Sequence, residues 1–209
     1  TRHDQYSQEV RYGGDLTDKL SGVVGVFVLG QNLQGLDQTE EVGKDQWRFV
    51  QTSNTGQQAL YSTPGLLDGF GIRTNSTIKS LSAAAFAQVD WEVIDKLHVL
   101  PGIRFTYDKK DVDYDRQTYG GLQTTDANLL ALKAAVYANQ QFNISTENNN
   151  LSGNLTLSYR PNDRLNTFAT YSTGYKPVGV NVGGVPTTST GAADIPVARV
   201  KPENVEHYE

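Results

Sequence analysis

The stretch AAAFAQVDWEV, Ala83 to Val93, carries carboxylates on both sides of its tryptophan, although eight of its eleven residues are apolar. From Leu81 to Val93 every odd-numbered position is apolar, whereas the even-numbered positions hold mainly Ser, Gln, Asp and Glu, with Ala84 and Phe86 as exceptions. Successive side chains of a β-strand point to opposite faces, so this alternation predicts a strand with one apolar and one polar face. A helix would spread the apolar residues around its circumference and leave the carboxylates among them.

The same alternation recurs in five more stretches of the chain. They are YSQEVRY (6–12), LSGVVGVFV (20–28), LHVLPGIRFTY (97–107), LSGNLTLSY (151–159) and LNTFATYSTGYK (165–176). Phe168 interrupts the last of these, and VKPENVEHYE at 200–209 begins another. The pattern predicts six strands and the start of a seventh.

The connections between these strands come in two sizes that alternate. Tight turns are expected at GGDLTDK (13–19), IDK (94–96) and PNDR (161–164), and long polar connections at 38–79, 118–148 and 183–202. Asp126 is a plausible N-cap for one short helix in the second long connection. Three such loops are unusual in a compact soluble domain, whereas an outer-membrane barrel has short periplasmic turns and long extracellular loops.

Composition excludes several classes of protein. The 209 residues carry a net charge of −5, and the 18 Lys and Arg residues are scattered, so we expect no nucleic-acid partner. The absence of cysteine removes disulfides and thiolate chemistry. No apolar run approaches the ~20 residues of a transmembrane helix, but a transmembrane strand needs only ~9–11. The chain contains no Met and ends as a strand pattern begins, so we interpret it as an internal fragment of a longer protein.

A soluble β-sandwich would show the same alternation as a transmembrane barrel. Strand length and the placement of aromatic residues favour the barrel. Ser80 to Val93 would be about 46 Å long and would span about 33 Å when tilted by ~45°. Aromatic residues lie near strand ends on the apolar parity, as the girdles of a barrel require; they are Tyr12, Trp91, Tyr107, Tyr159 and Tyr175.

The two parities therefore predict two environments. The predicted lipid-facing residues are Leu81, Ala83, Ala85, Ala87, Val89, Trp91, Ile103, Phe105, Leu155 and Leu157. The predicted lumen-facing residues are Glu9, Arg11, Gln88, Asp90, Glu92, Arg104, Asp108 and Lys176. Lumen side chains of this kind either hydrogen-bond to a plug or contact a passing ligand.

In their order and turn lengths, these strands resemble the central barrel strands of TonB-dependent outer-membrane receptors. The stretches that carry the resemblance are YSQEVRY, LSGVVGVFVLGQ, AAAFAQVDWEVIDKLHVLPGIRFTYDKK, LSGNLTLSYRPNDRLNTFATYSTGYKPVGVN and VKPENVEHYE. The resemblance implies an all-β, antiparallel, up-and-down transmembrane barrel of 22 strands, of which residues 1–209 would form a partial barrel domain. It also implies an N-terminal plug and coupling to TonB, both in parts of the protein outside this fragment. GYKPVGVN at 174–181 departs from many relatives, which carry a second Gly close to the lysine, so the ligand subclass stays open.

No motif for catalysis or metal binding is complete. DVDYDR places Asp111, Asp113 and Asp115 like the start of a calcium loop, but Arg116 and Leu122 stand where an EF-hand needs Gly and Glu. We expect a solvated acidic edge above the bilayer, with a divalent or lipopolysaccharide-associated cation site as the alternative. The three histidines lack metal-ligand spacing, and GxSxG, Walker A and GxGxxG patterns are absent. We therefore expect no enzyme activity, no cofactor and no bound metal.

Aromatic and cationic residues of the long connections, and one at the extracellular end of the fourth strand, are the candidates for ligand contact. Those of the connections are Trp47, Arg48, Tyr61, Phe70, Arg73 and Tyr119, and the strand residue is Tyr114. Such side chains suit flat, anionic iron chelates through stacking, cation–π contacts and charge-assisted hydrogen bonds. They suit ordinary loop packing equally well.

The resulting hypothesis is a ligand-gated outer-membrane transporter for a ferric siderophore, with cobalamin, haem or an oligosaccharide as other cargoes. Its expected partners are outer-membrane lipid, TonB and the small-molecule ligand. The alternatives are a passive porin and a soluble β-sandwich carbohydrate-binding or adhesion module. An excised arc of barrel leaves two unpaired edges, so we expect the fragment not to fold stably in isolation.

Overall fold

A computed structural model describes residues 1–42, 63–183, 185–188 and 192–209 of the chain. Nine strands and two helices lie within these ranges. In chain order they are β1 (Arg2–Thr17), β2 (Leu20–Glu41), β3 (Gly71–Ile94), β4 (Leu97–Tyr119), α1 (Ala127–Val136), β5 (Gln140–Asn162), β6 (Leu165–Lys176), β7 (Gly179–Val180), α2 (Ile195–Ala198), β8 (Arg199–Val200) and β9 (Glu203–Tyr208).

Seven strands form one antiparallel sheet in the order β1-β2-β3-β4-β5-β6-β9. Each strand pairs with the next strand of the sheet along the chain, so the topology is the up-and-down meander that the sequence predicted. Two-residue turns join β1 to β2, β3 to β4 and β5 to β6 at one end, called the short-turn end here. The other three connections are long and meet at the opposite, long-loop end. Six strands and the start of a seventh are confirmed.

The strands extend farther than the sequence predicted. β3 has 24 residues and β4 has 23, so both continue beyond the segment whose alternation is clear. Two long connections are therefore shorter than predicted. They run from 42 to 70 instead of 38 to 79, and from 120 to 139 instead of 118 to 148. Ladder hydrogen bonds form between backbones whatever the side chains are, so polar stretches such as 71–79 pair as well as apolar ones. At the short-turn end, GGDLT of the predicted first turn likewise belongs to β1, and only Asp18 and Lys19 form the turn.

The sheet curves, which gives it a concave and a convex face. Side chains two strands apart touch on one face, where Arg104 of β4 lies 5.4 Å from the ring of Phe27 of β2. We call this the concave face, because such contacts require the sheet to bend toward it. Ladder register places these predicted lumen-facing residues on it: Glu9, Arg11, Gln88, Asp90, Glu92, Arg104 and Asp108.

The convex face carries the predicted lipid-facing residues of β3, β4 and β5. Cross-strand pairs such as Ala85 with Phe105 and Ala87 with Ile103 form one continuous apolar band. Its large side chains are exposed, with Ile103 54% and Phe105 49% accessible. An apolar band this extensive is unusual on a monomeric soluble protein.

The end of β6 corrects two expectations. The hydroxyl of Tyr175 donates to the carboxylate of Asp108 on the concave face, so Tyr175 is not in an outward-facing girdle. Pairing of β6 with β5 stops at Ser172, and the Thr173 hydroxyl instead bonds to the backbone of Gly153, which turns the strand inward. Lys176, predicted to face the lumen, follows Tyr175 and therefore points to the opposite side, where it lies 3.9 Å from Glu203.

The third long connection folds onto the concave face. We call residues 177–202 the inward loop; it contains β7, α2 and β8, which form a small ribbon and a single helical turn. Its Val185 and Ala198 pack with residues of β4 and β5 in a buried cluster that contains Val112, Tyr114, Phe142 and Ile144. The sequence predicted a polar extracellular connection at 183–202, and the described part of it is instead one wall of this core.

Candidate functional site

The middle of the concave face holds a cluster of one arginine and two phenylalanines. The Arg104 guanidinium lies 5.4 Å from the ring centroid of Phe27 and 5.7 Å from that of Phe86. Phe86 of β3 pairs directly with Arg104 of β4. Phe27 lies on β2, two residues along that strand from Gly25, the residue that pairs with Phe86. Register therefore brings together three residues that are widely separated in the sequence.

Polar groups continue this cluster toward the long-loop end. Arg104 Nε donates to Thr106 Oγ1 at 3.3 Å, and Asp108 accepts from the Tyr175 hydroxyl. Among the described residues, no carboxylate forms an ion pair with Arg104. A guanidinium held on two rings, with donors still available, can bind an anionic or aromatic group by charge-assisted hydrogen bonds and stacking.

A second polar region lies on the concave face at the short-turn end. His98 Nδ1 and Asp90 Oδ1 are 2.7 Å apart in a recess of about 830 Å³. Glu92 Oε1 accepts from the backbone N–H of Lys96 at 3.0 Å and so helps to close the β3–β4 turn. Asp90 and Glu92 thus have partners within the sheet, and the recess offers a hydrogen-bonding surface to whatever fills the concave side.

The long-loop end contains its own small core outside the sheet. Helix α1 is confirmed, with the Asp126 carboxylate accepting from the N–H groups of Asn128 and Leu129. Lys133 of this helix lies 4.9 Å from the ring centroid of Phe70, and its ammonium donates to the carbonyls of Gly120 and Leu122. Through Lys133, the helix therefore holds the connection 120–139 against Phe70.

Glycines bring the two loops close together in this core. Gly120 has φ of +69°, and a Cβ there would come within 1.9 Å of the carbonyl oxygen of Gly69. Gly121 and Leu122 then donate backbone hydrogen bonds to Asp68 and Leu66. Close backbone approach of this kind needs glycine at position 120.

Two tyrosines tie the long-loop core to the end of β2. The Tyr137 hydroxyl donates to Glu40 Oε1 at 2.5 Å, and the Tyr119 hydroxyl donates to Glu41 Oε1 at 3.3 Å. Burial, followed by the hydrogen bond and the charge of Glu40, raises the pKa of Tyr137 to about 12. Burial first, and then the charge and hydrogen bond of Glu41, also raises the pKa of Tyr119. Both phenols are therefore donors at physiological pH.

The candidates for ligand contact fall in different environments. Phe70 is 2% exposed in the long-loop core, and Tyr114 is 4% exposed and stacks on Phe142 at 4.8 Å. Arg73 is largely exposed, with its Nε 3.9 Å from Asp37, and Tyr119 is partly exposed. Trp47, Arg48 and Tyr61 lie outside the described residues. Of the four described candidates, only Arg73 and Tyr119 present accessible side chains.

Sequence reasoning did not single out Phe27 and Phe86, which contact Arg104 in the structure. Phe86 was an exception to the alternation of β3, which left one large aromatic residue among polar ones as a signal. Phe27 lies among Val23, Gly25 and Leu29 on its face of β2, so no such signal exists there. The register that places both beside Arg104 was needed to connect the two.

The described ranges lack a metal-binding cluster and a membrane-spanning helix. No group of three or more His, Asp or Glu residues in them is placed to hold a metal ion. None of the helices there is sufficiently long and apolar to cross a membrane.

An arc of an up-and-down barrel, lined by polar and cationic side chains on its concave side, is the class of structure that the fold and the site define. A family profile described as "TonB dependent receptor-like, beta-barrel" matches residues 1–209. The chain therefore belongs to the TonB-dependent receptor β-barrel family, whose members are transport receptors of the outer membrane.

Comparison with individual proteins shows a likeness of fold. No curated protein matches this chain significantly. The crystal structure of the ferric yersiniabactin uptake receptor FyuA from Yersinia pestis is similar, with a TM-score of 0.65 and 18% sequence identity. The match covers 99% of this chain and 25% of that chain, so the chain spans about a quarter of the length of FyuA. At this identity the likeness supports the fold.

Proposed function

We propose that the protein imports a ferric siderophore across the outer membrane by loop capture and plug-gated passage through the barrel. The observation that carries this proposal is the Arg104 cluster, in which a guanidinium without a carboxylate partner among the described residues lies over two phenylalanine rings. An iron chelate that is flat and anionic matches this chemistry. The similarity to a receptor whose title names ferric yersiniabactin uptake supports the same class of ligand.

The proposed path follows the concave face from the long-loop end to the short-turn end. Capture would begin at the accessible residues Arg73 and Tyr119, at the long-loop ends of β3 and β4, together with Trp47, Arg48 and Tyr61. The ligand would then pass the Arg104 cluster, while the plug rests against the recess around Asp90 and His98. In this arrangement the convex apolar band meets lipid, and TonB supplies the energy through the N-terminal part of the receptor.

Uptake by cells tests the proposal directly. The full-length gene is expressed in cells that lack their own siderophore receptors, and import of iron-55 is measured from catecholate, hydroxamate and phenolate siderophores. We expect import of at least one chelate, and loss of that import when TonB is removed. TonB-independent entry of all three, together with unrelated small solutes, would instead support the passive porin.

A pair of variants then tests the cluster. Arg104→Ala should lower uptake about tenfold, because it removes one charge-assisted contact of about 1.4 kcal/mol. Arg164→Ala, in the exposed β5–β6 turn, removes the same charge outside the path and should leave uptake unchanged. Equal uptake by both variants would remove Arg104 from the path.

A further inference from the structure

The middle of the concave face is divided into two halves of different chemistry. The half on β2, β3 and β4, called the apolar half here, carries Val23, Phe27, Leu29, Ala84, Phe86 and Leu100, with Ser82 and Gln88 at its margins. The half on β5 and β6 carries hydroxyl and amide groups; they belong to Ser152, Asn154, Thr156, Thr170 and Ser172. Arg104 stands at the boundary, where it pairs with Phe86 on one side and with Ser152 on the other.

Small residues make room for the two rings of the apolar half. Gly25 pairs with Phe86, and the Phe86 ring lies so close across it that a Cβ at position 25 would come within 2.5 Å of the ring. Phe27 pairs with Ala84, whose methyl group leaves space beside Phe86. Both phenylalanines are half-buried, so part of each ring is open to the concave side. The rings are therefore held in place with a surface available for stacking.

Two arginines of the concave face lie in the cross-strand row that holds Phe86, and they differ in their partners. Arg11 of β1 forms an ion pair with Glu9 at 2.5 Å. Arg104 has no carboxylate partner among the described residues. Its Nε donates to Thr106, but its terminal nitrogens have no acceptor in the same ranges. A half-buried charge without an acceptor is poorly solvated, so an anionic acceptor would stabilise Arg104.

We propose that this surface selects a chelate whose iron-binding oxygens are carried on aromatic rings, as catecholate or phenolate groups, over aliphatic chelates. This inference rests on the proposed function and names its substrate class. The terminal N–H groups of Arg104 would donate to the aryl oxygens, and the aryl ring would stack on Phe27 and Phe86. An aliphatic anion can accept from Arg104 but forms no ring contact. The hydroxyl and amide groups beyond Arg104 offer partners for the polar backbone that joins the aryl groups.

Equilibrium dialysis of the full-length receptor, purified in detergent, tests this selection. The probes are iron-55 complexes of a tris-catecholate, which is anionic and aromatic, of citrate, which is anionic and aliphatic, and of an uncharged cyclic trihydroxamate. We expect the tris-catecholate to bind about fivefold more tightly than ferric citrate, and the trihydroxamate to bind most weakly. Equal binding of the first two, tighter binding of either aliphatic chelate, or binding of none of them would overturn the proposal.

Variants assign the preference to the rings. Phe27→Leu with Phe86→Leu removes both rings but keeps apolar side chains, and it should abolish the preference for the tris-catecholate while ferric citrate binds as before. Phe86→Tyr, which keeps the ring, should retain the preference. Phe105→Leu is the matched control, because it removes an exposed ring next to Arg104 in sequence but on the convex face. Heat-modifiable migration on gels checks that each variant is folded.

Two results with these variants would contradict the proposal. An unchanged preference in the double variant would show that the rings do not contact the chelate. An equal loss of tris-catecholate and citrate binding would show that the rings only support packing, for example against the plug. Arg104→Gln separates the charge from the rings, since it should weaken the binding of both anionic chelates, and unchanged binding of both would remove Arg104 from the site.

The outcomes separate this inference from the proposed function. A receptor that binds the tris-catecholate preferentially through Phe27 and Phe86 but imports no chelate would disprove the proposed function and leave the selection intact. A receptor that imports ferric citrate or the trihydroxamate, without a preference for the aromatic chelate, would support the proposed function and overturn the selection.

Discussion

At the two ends of the sheet, the apolar side chains lie on opposite faces. Toward the short-turn end, apolar residues of β4 and β5 such as Phe105 and Leu157 are odd-numbered and lie on the convex face. Toward the long-loop end, the buried apolar residues are even-numbered and lie on the concave face, where Val112 is 1% and Ile144 2% exposed. On both strands the apolar side chains change from one face of the sheet to the other. The change falls between Tyr107 and Val112 on β4 and between Ile144 and Leu151 on β5, and these segments pair with each other.

This reversal explains the DVDYDR stretch. Asp111, Asp113 and Asp115 share the parity of the convex band, but they stand beyond its end. Val112 and Tyr114 between them pack under the inward loop. Beyond the end of the apolar band, the convex face is therefore acidic and can be solvated. The concave face is apolar there and packs against the inward loop. A change of parity along one strand therefore marks a change of surroundings, here the expected edge of the membrane.

The largest expected effect is at the loop core. Phe142→Ala should cost the docking of the inward loop about 3–5 kcal/mol, the usual range for a buried phenylalanine. Hydrogen exchange of residues 177–183 in the full-length receptor should then rise toward that of an open loop. Phe168→Ala, which changes an exposed ring, is the control, and unchanged protection in Phe142→Ala would show that the loop is held by other contacts.

A charge in the middle of the apolar band should have the next largest effect. Ala85→Arg places a guanidinium on the convex face and should impair assembly by about 2–4 kcal/mol if that face meets lipid. Gln88→Arg places the same group on the concave face, three residues away, and should be tolerated far better. Folding into vesicles, followed by urea titration, measures both, and similar losses would remove the distinction between the faces.

The smallest effect concerns Tyr137, which ties the long-loop core to β2. Because its pKa is raised to about 12, from about 10 in an unfolded chain, its contribution is fully present below pH 10. That contribution is lost as the pH rises toward 12. Tyr137→Phe should cost about 0.5–1.5 kcal/mol at neutral pH. The difference in absorbance at 295 nm between wild type and Tyr137→Phe should titrate near pH 12, and titration near pH 10 would contradict the contact with Glu40.

Local pattern was sufficient for much of the fold. Alternation predicted the strands β3 to β6 and the tight turns between them, together with the faces of β3 to β5 in the apolar band, because each depends on neighbours along the chain. Asp126 and the residues after it predicted helix α1 for the same reason. The inward loop could not be predicted this way, since its burial depends on Phe142 and Ile144, which are distant in sequence.

In the candidate site, too, local pattern predicted some features, and contacts between distant residues determined the others. Arg104 was assigned to the polar parity from its own strand, but its contacts with Phe27 and Phe86 follow from the register of three strands. Tyr175 was assigned to the wrong face, because the inward turn of β6 begins at a hydrogen bond between Thr173 and Gly153 that no alternation encodes. Phe70 and Tyr114 matched the expected ligand chemistry by residue type, and tertiary packing buries both.

The central claim is that one face of β3 meets lipid while the other meets water. A nitroxide scan of positions 80–91 in the full-length receptor, reconstituted in membranes, measures this residue by residue. Odd-numbered positions should be accessible to oxygen and shielded from a water-soluble nickel chelate, and even-numbered positions should show the reverse. Equal access of the nickel chelate at both parities would contradict the account.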